Sequence, residues 1–265
     1  YLGVARDLAA GMGKQLALPK IDQSSTGKSL TVPVAISAPE RCSRFTVQVM
    51  SGITVTQSPD WIARRLARAG MRSINNVVDV SNLVNLELNQ PNHAYDLQSV
   101  SDGFIVRMAS SNEAFTTLDG NDRILEVSDL VIADAKNTPV GLAGIMGGLH
   151  SEVTDSTHSI ALEIAYFEPN AIRSTATRLA LRTEASLRFE RGVDPYGAEA
   201  AVARFSELLR ITCPDLVVHG GFTDERTEAL PSQNRICVLR AKSVKRILGI
   251  DLSAQHFVDL LVPIG

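Results

Sequence analysis

The sequence predicts an α+β fold, with mixed or antiparallel sheets and packed helices in one large central domain flanked by partial helical modules. Residues 104–134 contain short apolar runs separated by glycine turns, which is typical of antiparallel strands. Stretches with helical periodicity lie before and after these runs. The segment 240–265 differs in character and contains two short predicted helices. We therefore predict a preceding tail and linker over 1–38, the central domain over 39–228, and the start of a following helix-turn-helix-like module over 229–265.

The first hundred residues are predicted to contain helices around one strand. The run 44–50 alternates apolar and polar residues, as a half-buried strand does. Ser58 stands where a helix N-cap is expected, and Pro59 suits a first helical position. The predicted elements are, in order, a helix over 1–16, a polar linker over 19–29, a strand over 44–50, a helix over 58–70 and a helix over 74–90.

The rest of the chain mixes strands and helices. Asp119-Gly120 and Gly103 supply turns among the short strands. Near the end, Gly249 is expected to end one helix and Ser253 to cap the next. The predicted elements are strands over 104–109, 114–120, 123–127 and 130–134, a strand over 139–148 that runs into a glycine cluster, a strand over 159–167, helices over 169–181 and 197–212, a strand over 215–222, and the two terminal helices.

Composition is that of an ordinary globular chain, with 45% hydrophobic and 21% charged residues in 265. No run of about 18 apolar residues suggests a membrane span, and the N-terminus lacks a signal-peptide layout. Three cysteines without a CxxC pair argue against a zinc ribbon or a disulfide framework. A reduced, cytoplasmic setting is the simplest interpretation.

The net charge of −3 gives no general sign of nucleic-acid binding, which commonly appears as a basic domain. Two local arginine-rich stretches remain as RNA candidates. One is 64–72, with Arg64, Arg65, Arg68 and Arg72, and the other is 173–191, which glutamates dilute. A solvated helix face is the competing interpretation for both.

The glycine cluster at 141–148 is neither a P-loop nor a GxGxxG motif. Glycines allow a close approach to the backbone. The cluster could therefore pack tightly against a neighbouring strand, or it could form a floor on which a ligand lies against bare peptide groups. The residues alone leave both possibilities open.

Glu163 lies among apolar residues in the strand 159–167. An unpaired buried charge is costly, so the residue either faces solvent from an edge strand or has a special role. The stretch 182–195 contains the small residues Ala185 and Ser186 among charges. Arg188, Glu190, Arg191 and Asp194 could form a salt-bridge network that fixes a loop.

Other kinds of chemistry are not indicated. His93, His150, His158 and Glu163 offer metal ligands, but their spacing fits no HExxH helix or CxxC knuckle, so no metal is predicted. A serine nucleophile is not predicted either, because there is no GxSxG motif.

Taken together, five ordered stretches resemble the central editing region of the beta subunit of bacterial phenylalanyl-tRNA synthetase. They are NNVVDVSNLVNLELNQPNHAYDL, GLAGIMGG, SEVTD, LEIAYFEPNAIR and RTEASLRFERGVDP. The resemblance implies that 39–228 is a tRNA-editing domain, which hydrolyses tyrosine wrongly esterified to phenylalanine tRNA. It also implies an α2β2 heterotetramer in which the alpha subunit performs the ATP- and Mg²⁺-dependent synthesis. Editing itself is expected to need no cofactor.

The resemblance also implies roles for particular residues. Glu163 matches the position that accepts the tyrosine hydroxyl, which makes its apolar strand a pocket wall. Gly144 and Gly147 match the floor beneath the aminoacyl group, and Ala185 matches a small residue that leaves room for the ring. The catalytic rim near the ester and the terminal adenosine would consist of Ser81, Asn82 and His93, where the family often has threonine in place of Ser81.

We expect His93 to orient water or the tRNA end at the ester, fixed by the turn at Pro91, rather than to be an obligatory general base. The competing hypothesis is a module that binds tRNA and scaffolds the heterotetramer without catalysis. A third possibility is a folded fragment that is inert by itself, since a chain of net charge −3 is poorly suited to holding tRNA alone.

Overall fold

The computed structural model of the protein describes residues 1–17, 25–100, 102–233 and 236–264. The chain divides into two compact units. One combines residues 1–20 with 231–265, and the other comprises residues 21–230. The predicted α+β class is confirmed, because helices and mixed sheets both contribute to the larger unit.

Short helices and short strands alternate along much of the chain. The helices are α1 (Leu2–Gly11), α2 (Asp60–Arg68), α3 (Asn76–Leu88), α4 (Leu97–Val100), α5 (Pro169–Arg178), α6 (Glu184–Phe189), α7 (Ala198–Leu209), α8 (Ala241–Leu248) and α9 (Ala254–Leu261). The strands are β1 (Gly27–Ser29), β2 (Val34–Ile36), β3 (Cys42–Ser51), β4 (His93–Asp96), β5 (Phe104–Met108), β6 (Glu113–Thr116), β7 (Asp122–Leu125), β8 (Leu130–Asp134), β9 (Pro139–Leu142), β10 (Met146–Gly147), β11 (Ser159–Phe167), β12 (Val217–Gly220) and β13 (Thr223–Arg226).

The first sheet of the larger unit has six strands. Its order is β1-β12-β3-β11-β4, and β13 also pairs with β3. Strand β11 lies between β3 and β4 and is antiparallel to both. A second sheet of five strands has the order β10-β9-β8-β5-β2, and β6 and β7 form a separate hairpin. The site described below lies where β4 and β11 face the second sheet.

The two faces of β3 and β11 belong to different hydrophobic cores. One face packs with the second sheet, as Val47 and Ala161 do beside Ile132. The other face packs against the helical layer, as Leu162 does with Leu83 of α3 and Phe205 of α7. Successive side chains of a strand point to opposite faces, so the alternation along β11 divides its residues between the cores.

Several local predictions need correction. Strand β3 is buried on both faces rather than half-buried, since it lies inside the sheet and carries a core on each side. Ser58 is not the N-cap of α2. Pro59 occupies that position with extended backbone, and the Ser58 hydroxyl oxygen has no hydrogen-bond partner in the described part of the chain.

Two stretches predicted as linker or loop contain regular structure. Of the predicted linker 19–29, residues 19–24 lie outside the described residues, and residues 27–29 form β1, which pairs with β12. The stretch 182–195 contains α6, whose start is a capping box formed by Thr183 and Ser186. The charged residues of this stretch form neighbouring pairs, Arg188 with Glu184 and Arg191 with Glu190, rather than one network that fixes a loop.

The smaller unit contains α1, α8 and α9. The two predicted end signals are confirmed there. Gly249 adopts a left-handed conformation, φ 72°, and its N–H donates to the Lys245 carbonyl, which ends α8. The Ser253 hydroxyl accepts a hydrogen bond from the His256 N–H and caps α9.

Candidate active site

His93 and Glu163 lie directly opposite each other on paired antiparallel strands, His93 on β4 and Glu163 on β11. Directly opposed residues on such a pair place their side chains on the same face of the sheet, about 5 Å apart at Cβ. On its other side Glu163 is paired with Val47 of β3, so this carboxyl group lies in the interior of the sheet. Glu163 is only 6% exposed. It is therefore not on the solvent side of an edge strand.

Burial shifts the ionisation of the two residues in opposite directions. It raises the pKa of Glu163 to about 8 and lowers the pKa of His93 to about 4. His93 as a whole is half-buried, but its Nε2 is buried and has no hydrogen-bond partner within the described part of the chain. At neutral pH both side chains are therefore predominantly uncharged.

The glycine segment 141–148 lies against these strands. A Cβ atom on Gly147 would lie 2.6 Å from Nε2 of His93, and one on Gly141 would lie 2.7 Å from the Tyr95 hydroxyl oxygen. Contacts this short exclude any side chain unless a ring moves. Gly147 therefore lets the peptide backbone approach the imidazole.

Gly144 has a different environment. Its φ is +67°, and a Cβ there would lie 3.0 Å from side-chain atoms of Phe167, Ile172 and Phe189. Gly144 also lines the cavity that contains Glu163. Tight packing therefore applies at Gly144, and Gly147 leaves bare backbone beside the His93 ring.

Helix α3 and the turn before β4 are joined by reciprocal hydrogen bonds. The Ser81 hydroxyl donates to the Asn92 carbonyl at 3.0 Å, and the Asn92 side-chain amide donates to the Ser81 carbonyl at 3.2 Å. These bonds fix the start of β4, where His93 is the first residue, relative to the helix. Ser81 therefore orients the segment that carries His93.

Two adjoining cavities bring the predicted site residues together. The inner cavity is lined by Glu163 and Gly144 together with His93, Gly147 and Ala185. An outer cleft is lined by Ser81 and Asn82 and shares His93, Gly147 and Ala185 with the inner cavity. The structure thus places all of the predicted site residues around two cavities that share part of their lining, and we call these two cavities together the recess.

Sequence reasoning missed several lining residues, and Tyr95 is the most informative. Its ring packs edge-on against the His93 ring, with the centroids 4.4 Å apart. Burial and the nearby Glu163 raise the pKa of Tyr95 well above its usual value. The alternation of a strand puts residues i and i+2 on one face, so the spacing of His93 and Tyr95 was a signal available in the sequence. Pro91, Met146 and Phe189 also line the inner cavity.

The other histidines considered as metal ligands lie elsewhere. His158 is exposed, and its Nδ1 lies 3.2 Å from the Ile53 carbonyl oxygen. His150 lines a separate cleft beside the β6–β7 hairpin. Among the described residues, no group of three or more His, Cys, Asp and Glu side chains is placed to hold a metal ion.

The fold and this recess define the class of the protein. Residues 41–214 match the model of the family described as the B3/4 domain, and the chain belongs to that family. In particular, it is similar along its length to phenylalanine–tRNA ligase beta subunits. It is 43% identical to that of Geobacter sulfurreducens over 98% of this chain and 32% of the relative, and 42% identical to that of Syntrophotalea carbinolica over 100% of this chain and 33% of the relative.

The resemblance drawn from the sequence motifs is thereby confirmed at the level of the subunit. The chain spans about a third of the length of these curated relatives. A solved N-terminal fragment of the phenylalanyl-tRNA synthetase beta subunit from Pyrococcus horikoshii matches 99% of this chain and 74% of its own, with 13% identity and a TM-score of 0.40. No helix in the described ranges combines the length and apolar character needed to cross a bilayer.

Proposed function

We propose that the recess hydrolyses the ester bond between tyrosine and phenylalanine tRNA. The single observation that carries the proposal is the buried Glu163 opposite His93, beside the bare backbone of Gly147. A carboxyl group in a pocket lined mainly by apolar residues suits a ligand that is mostly apolar but carries one hydroxyl. The phenol side chain of tyrosine has that chemistry.

The recess would select tyrosine over phenylalanine, whereas an aminoacylation site for phenylalanine selects against tyrosine. An apolar pocket for phenylalanine rejects an added hydroxyl only about 100-fold. In the inner cavity the tyrosine hydroxyl would donate a hydrogen bond to Glu163, whereas phenylalanine would leave that buried group unsatisfied. The bound hydroxyl would favour the ionised form of Glu163, and hydrogen bonds to charged groups contribute about 1.5–3 kcal/mol, so this contact would discriminate by roughly one to two orders of magnitude.

Hydrolysis would take place where the two cavities meet. With the ring beside Glu163, the ester carbonyl would lie near His93 and Gly147, and the terminal ribose would lie in the outer cleft beside Ser81 and Asn82. His93, with its pKa near 4, is a weak base at neutral pH. Its role would be to hold the attacking water and the ester in place, which by itself can lower the barrier considerably.

The test compares hydrolysis of tyrosyl-tRNA by the 265-residue chain and by its Glu163→Gln variant. We expect the substitution to lower kcat/KM by about 10- to 100-fold. Glu225→Gln is the matched control, because Glu225 is an exposed glutamate on β13. Equal rates for Glu163→Gln and the unaltered chain would contradict the assignment. An unaltered chain that binds tRNA without hydrolysing the ester would instead support a non-catalytic scaffolding module.

The same family membership leads us to propose the wider setting. In it the chain is part of a phenylalanine–tRNA ligase beta subunit that works in the cytoplasm with an alpha subunit. ATP and Mg²⁺ would be used by the alpha subunit and not by the recess described above. The names of the relatives support the ligase assignment for those proteins.

A further inference from the structure

Helix α2 presents arginines to solvent at the edge of the outer cleft. Its buried side is formed by Ile62 and Leu66, which pack into the helical core. Its exposed side carries Arg64 and Arg68, and Arg72 follows shortly after the helix ends. We call Arg64, Arg68 and Arg72 the arginine face. Arg64 and Arg68 are separated by four residues, or about 6 Å along the helix axis, and so lie on one side of it.

The arginine face is poorly neutralised by acidic side chains. Arg64 meets Asp60 at 3.4 Å, with both side chains largely exposed, an arrangement that contributes little energy. Within the described part of the chain, Arg68 and Arg72 have neither an ion pair nor a side-chain hydrogen bond. The guanidinium groups of Arg68 and Arg72 are therefore available to a ligand.

The second arginine-rich stretch identified in the sequence is different. Within 173–191, Arg178 pairs with the buried Asp129, Arg188 pairs with Glu184, and Arg191 pairs with Glu190. These ion pairs neutralise three of the five arginines in this stretch locally. Arg173 and Arg182 are exposed and have no ion pair within the described part of the chain, but unlike Arg72 they do not line the outer cleft.

A continuous surface connects the arginine face with the candidate active site. A groove beside α2 is lined by Arg64 and Arg72 together with Asp60 and Met71, and Arg68 lies on the helix surface outside this lining. Met71 and Arg72 also line the outer cleft, which extends to His93. Arg72 therefore lies where the groove opens into the cleft. A polyanion whose end occupies the cleft would lie along the groove.

We propose that the arginine face binds the phosphate backbone of the RNA stem whose 3′ end enters the outer cleft. For the identity of the RNA, this inference rests on the proposed function. Guanidinium groups bind phosphates with paired hydrogen bonds, and they remain charged at any physiological pH. The chain as a whole has a net charge of −3, which disfavours RNA, so locally concentrated positive charge would also orient the molecule as it approaches.

The test uses RNA without an amino acid, so that binding is measured separately from hydrolysis. One probe is an RNA hairpin with a short single-stranded 3′ extension, and the other is that single strand alone. Kd is measured by fluorescence anisotropy at several salt concentrations, for the 265-residue chain and for the double variant Arg68→Gln/Arg72→Gln. Both positions are exposed, so the variant is expected to keep its unfolding temperature.

We expect the unaltered chain to bind the hairpin more tightly than the single strand, and the double variant to lose most of that difference. Hairpin affinity should fall about tenfold, and the slope of log Kd against log salt should fall by about 2, or roughly one for each arginine. The matched control is Lys242→Gln/Arg246→Gln on α8, which removes the same amount of charge from exposed positions of the other unit. The control should leave both quantities nearly unchanged.

Equal effects of the two double variants, or a hairpin bound no more tightly than the single strand, would overturn the inference. These results are distinguishable from failure of the proposed function. Glu163→Gln should leave hairpin binding intact while slowing hydrolysis of tyrosyl-tRNA. Arginine-dependent hairpin binding without hydrolysis would refute the editing proposal alone, and hydrolysis without arginine-dependent binding would refute the RNA contact alone.

Discussion

The shifted pKa values of Glu163 and His93 are caused by burial and not by an interaction between the two side chains. Burial is the cause of the raised pKa of the glutamate and of the lowered pKa of the histidine. Because each group prefers its neutral form in an apolar environment, the pair lies in the protein interior without an ion pair. A tyrosine hydroxyl that donates to the ionised carboxylate would favour that form, so tyrosine binding should release a proton below about pH 8.

The first residue-scale prediction concerns stability and pH. The folded-state pKa of Glu163 is about 8, against an ordinary value of 4.5. Its contribution to stability is therefore fully present below the ordinary value and is lost as pH rises toward 8, at a cost of a few kcal/mol. Glu163→Gln should remove this loss, so the urea midpoint of the variant relative to the unaltered chain should rise as pH increases from 4.5 to about 8 and stay level above that. If the urea midpoints of the two proteins changed with pH in the same way, the raised pKa of Glu163 would be refuted.

The second residue-scale prediction separates positioning from proton transfer. His93→Ala should slow hydrolysis of tyrosyl-tRNA by about tenfold, because an imidazole with a pKa near 4 accepts few protons at neutral pH. His150→Ala, which changes an exposed histidine in a separate cleft, serves as the control. A loss of about a thousandfold or more in kcat for His93→Ala would indicate obligatory acid–base catalysis instead.

At the scale of elements, the glycine segment 141–148 performs two separable tasks. Gly147→Ala would press a methyl group against the His93 ring, so it should reduce hydrolysis and leave the unfolding temperature nearly unchanged. Gly144→Ala would place an L side chain at φ +67° among Phe167, Ile172 and Phe189, so it should destabilise the fold by about 1–2 kcal/mol or more. Urea unfolding and hydrolysis assays on both variants check this contrast. Equal changes in both assays would contradict it.

The same segment allows a stronger test at Gly147. Gly147→Trp should fill the recess and abolish hydrolysis, while the domain still unfolds cooperatively because the nearest atoms belong to the ends of the His93 and Leu118 side chains. Circular dichroism during thermal unfolding measures the fold, and release of tyrosine from tRNA measures the activity. Retained hydrolysis with a normal unfolding curve would show that Gly147 lies outside the reaction site.

Local patterns predicted best those helices whose ends are marked by a capping residue, such as α8, which ends at Gly249, and α9, which Ser253 caps. Elements defined by distant partners were harder to predict. Strand β1 has three residues, and its pairing with β12 brings together the two ends of the larger unit. Likewise, Glu163 is buried because β3 and β4 flank its strand on either side. The residues near position 163 do not indicate which strands will pair with β11. Family resemblance therefore supplied the expectation that the glutamate is buried, and local sequence patterns could not.

For the whole molecule, the bounds of the central domain remain a prediction that truncation can test. Strand β2 pairs with β5, and the buried Val32 accepts a hydrogen bond from the Thr223 hydroxyl at 3.0 Å. A chain shortened to residues 39–228 loses these contacts, whereas one shortened to 21–230 keeps them. We expect the shorter version to be less stable by about 2–4 kcal/mol, measured by urea unfolding. Equal midpoints would show that the domain begins near residue 39.

Strand β11 turns Glu163 toward one core and its immediate neighbours, Leu162 and Ile164, toward the other. Inserting or deleting a single residue ahead of Glu163 would exchange the two sets, exposing the helical layer to a carboxylate and the recess to an aliphatic chain. The number of residues along β11 is therefore constrained by both hydrophobic cores at once. A substitution at position 163 alone would change the recess and leave the register of the strand, and with it both cores, intact.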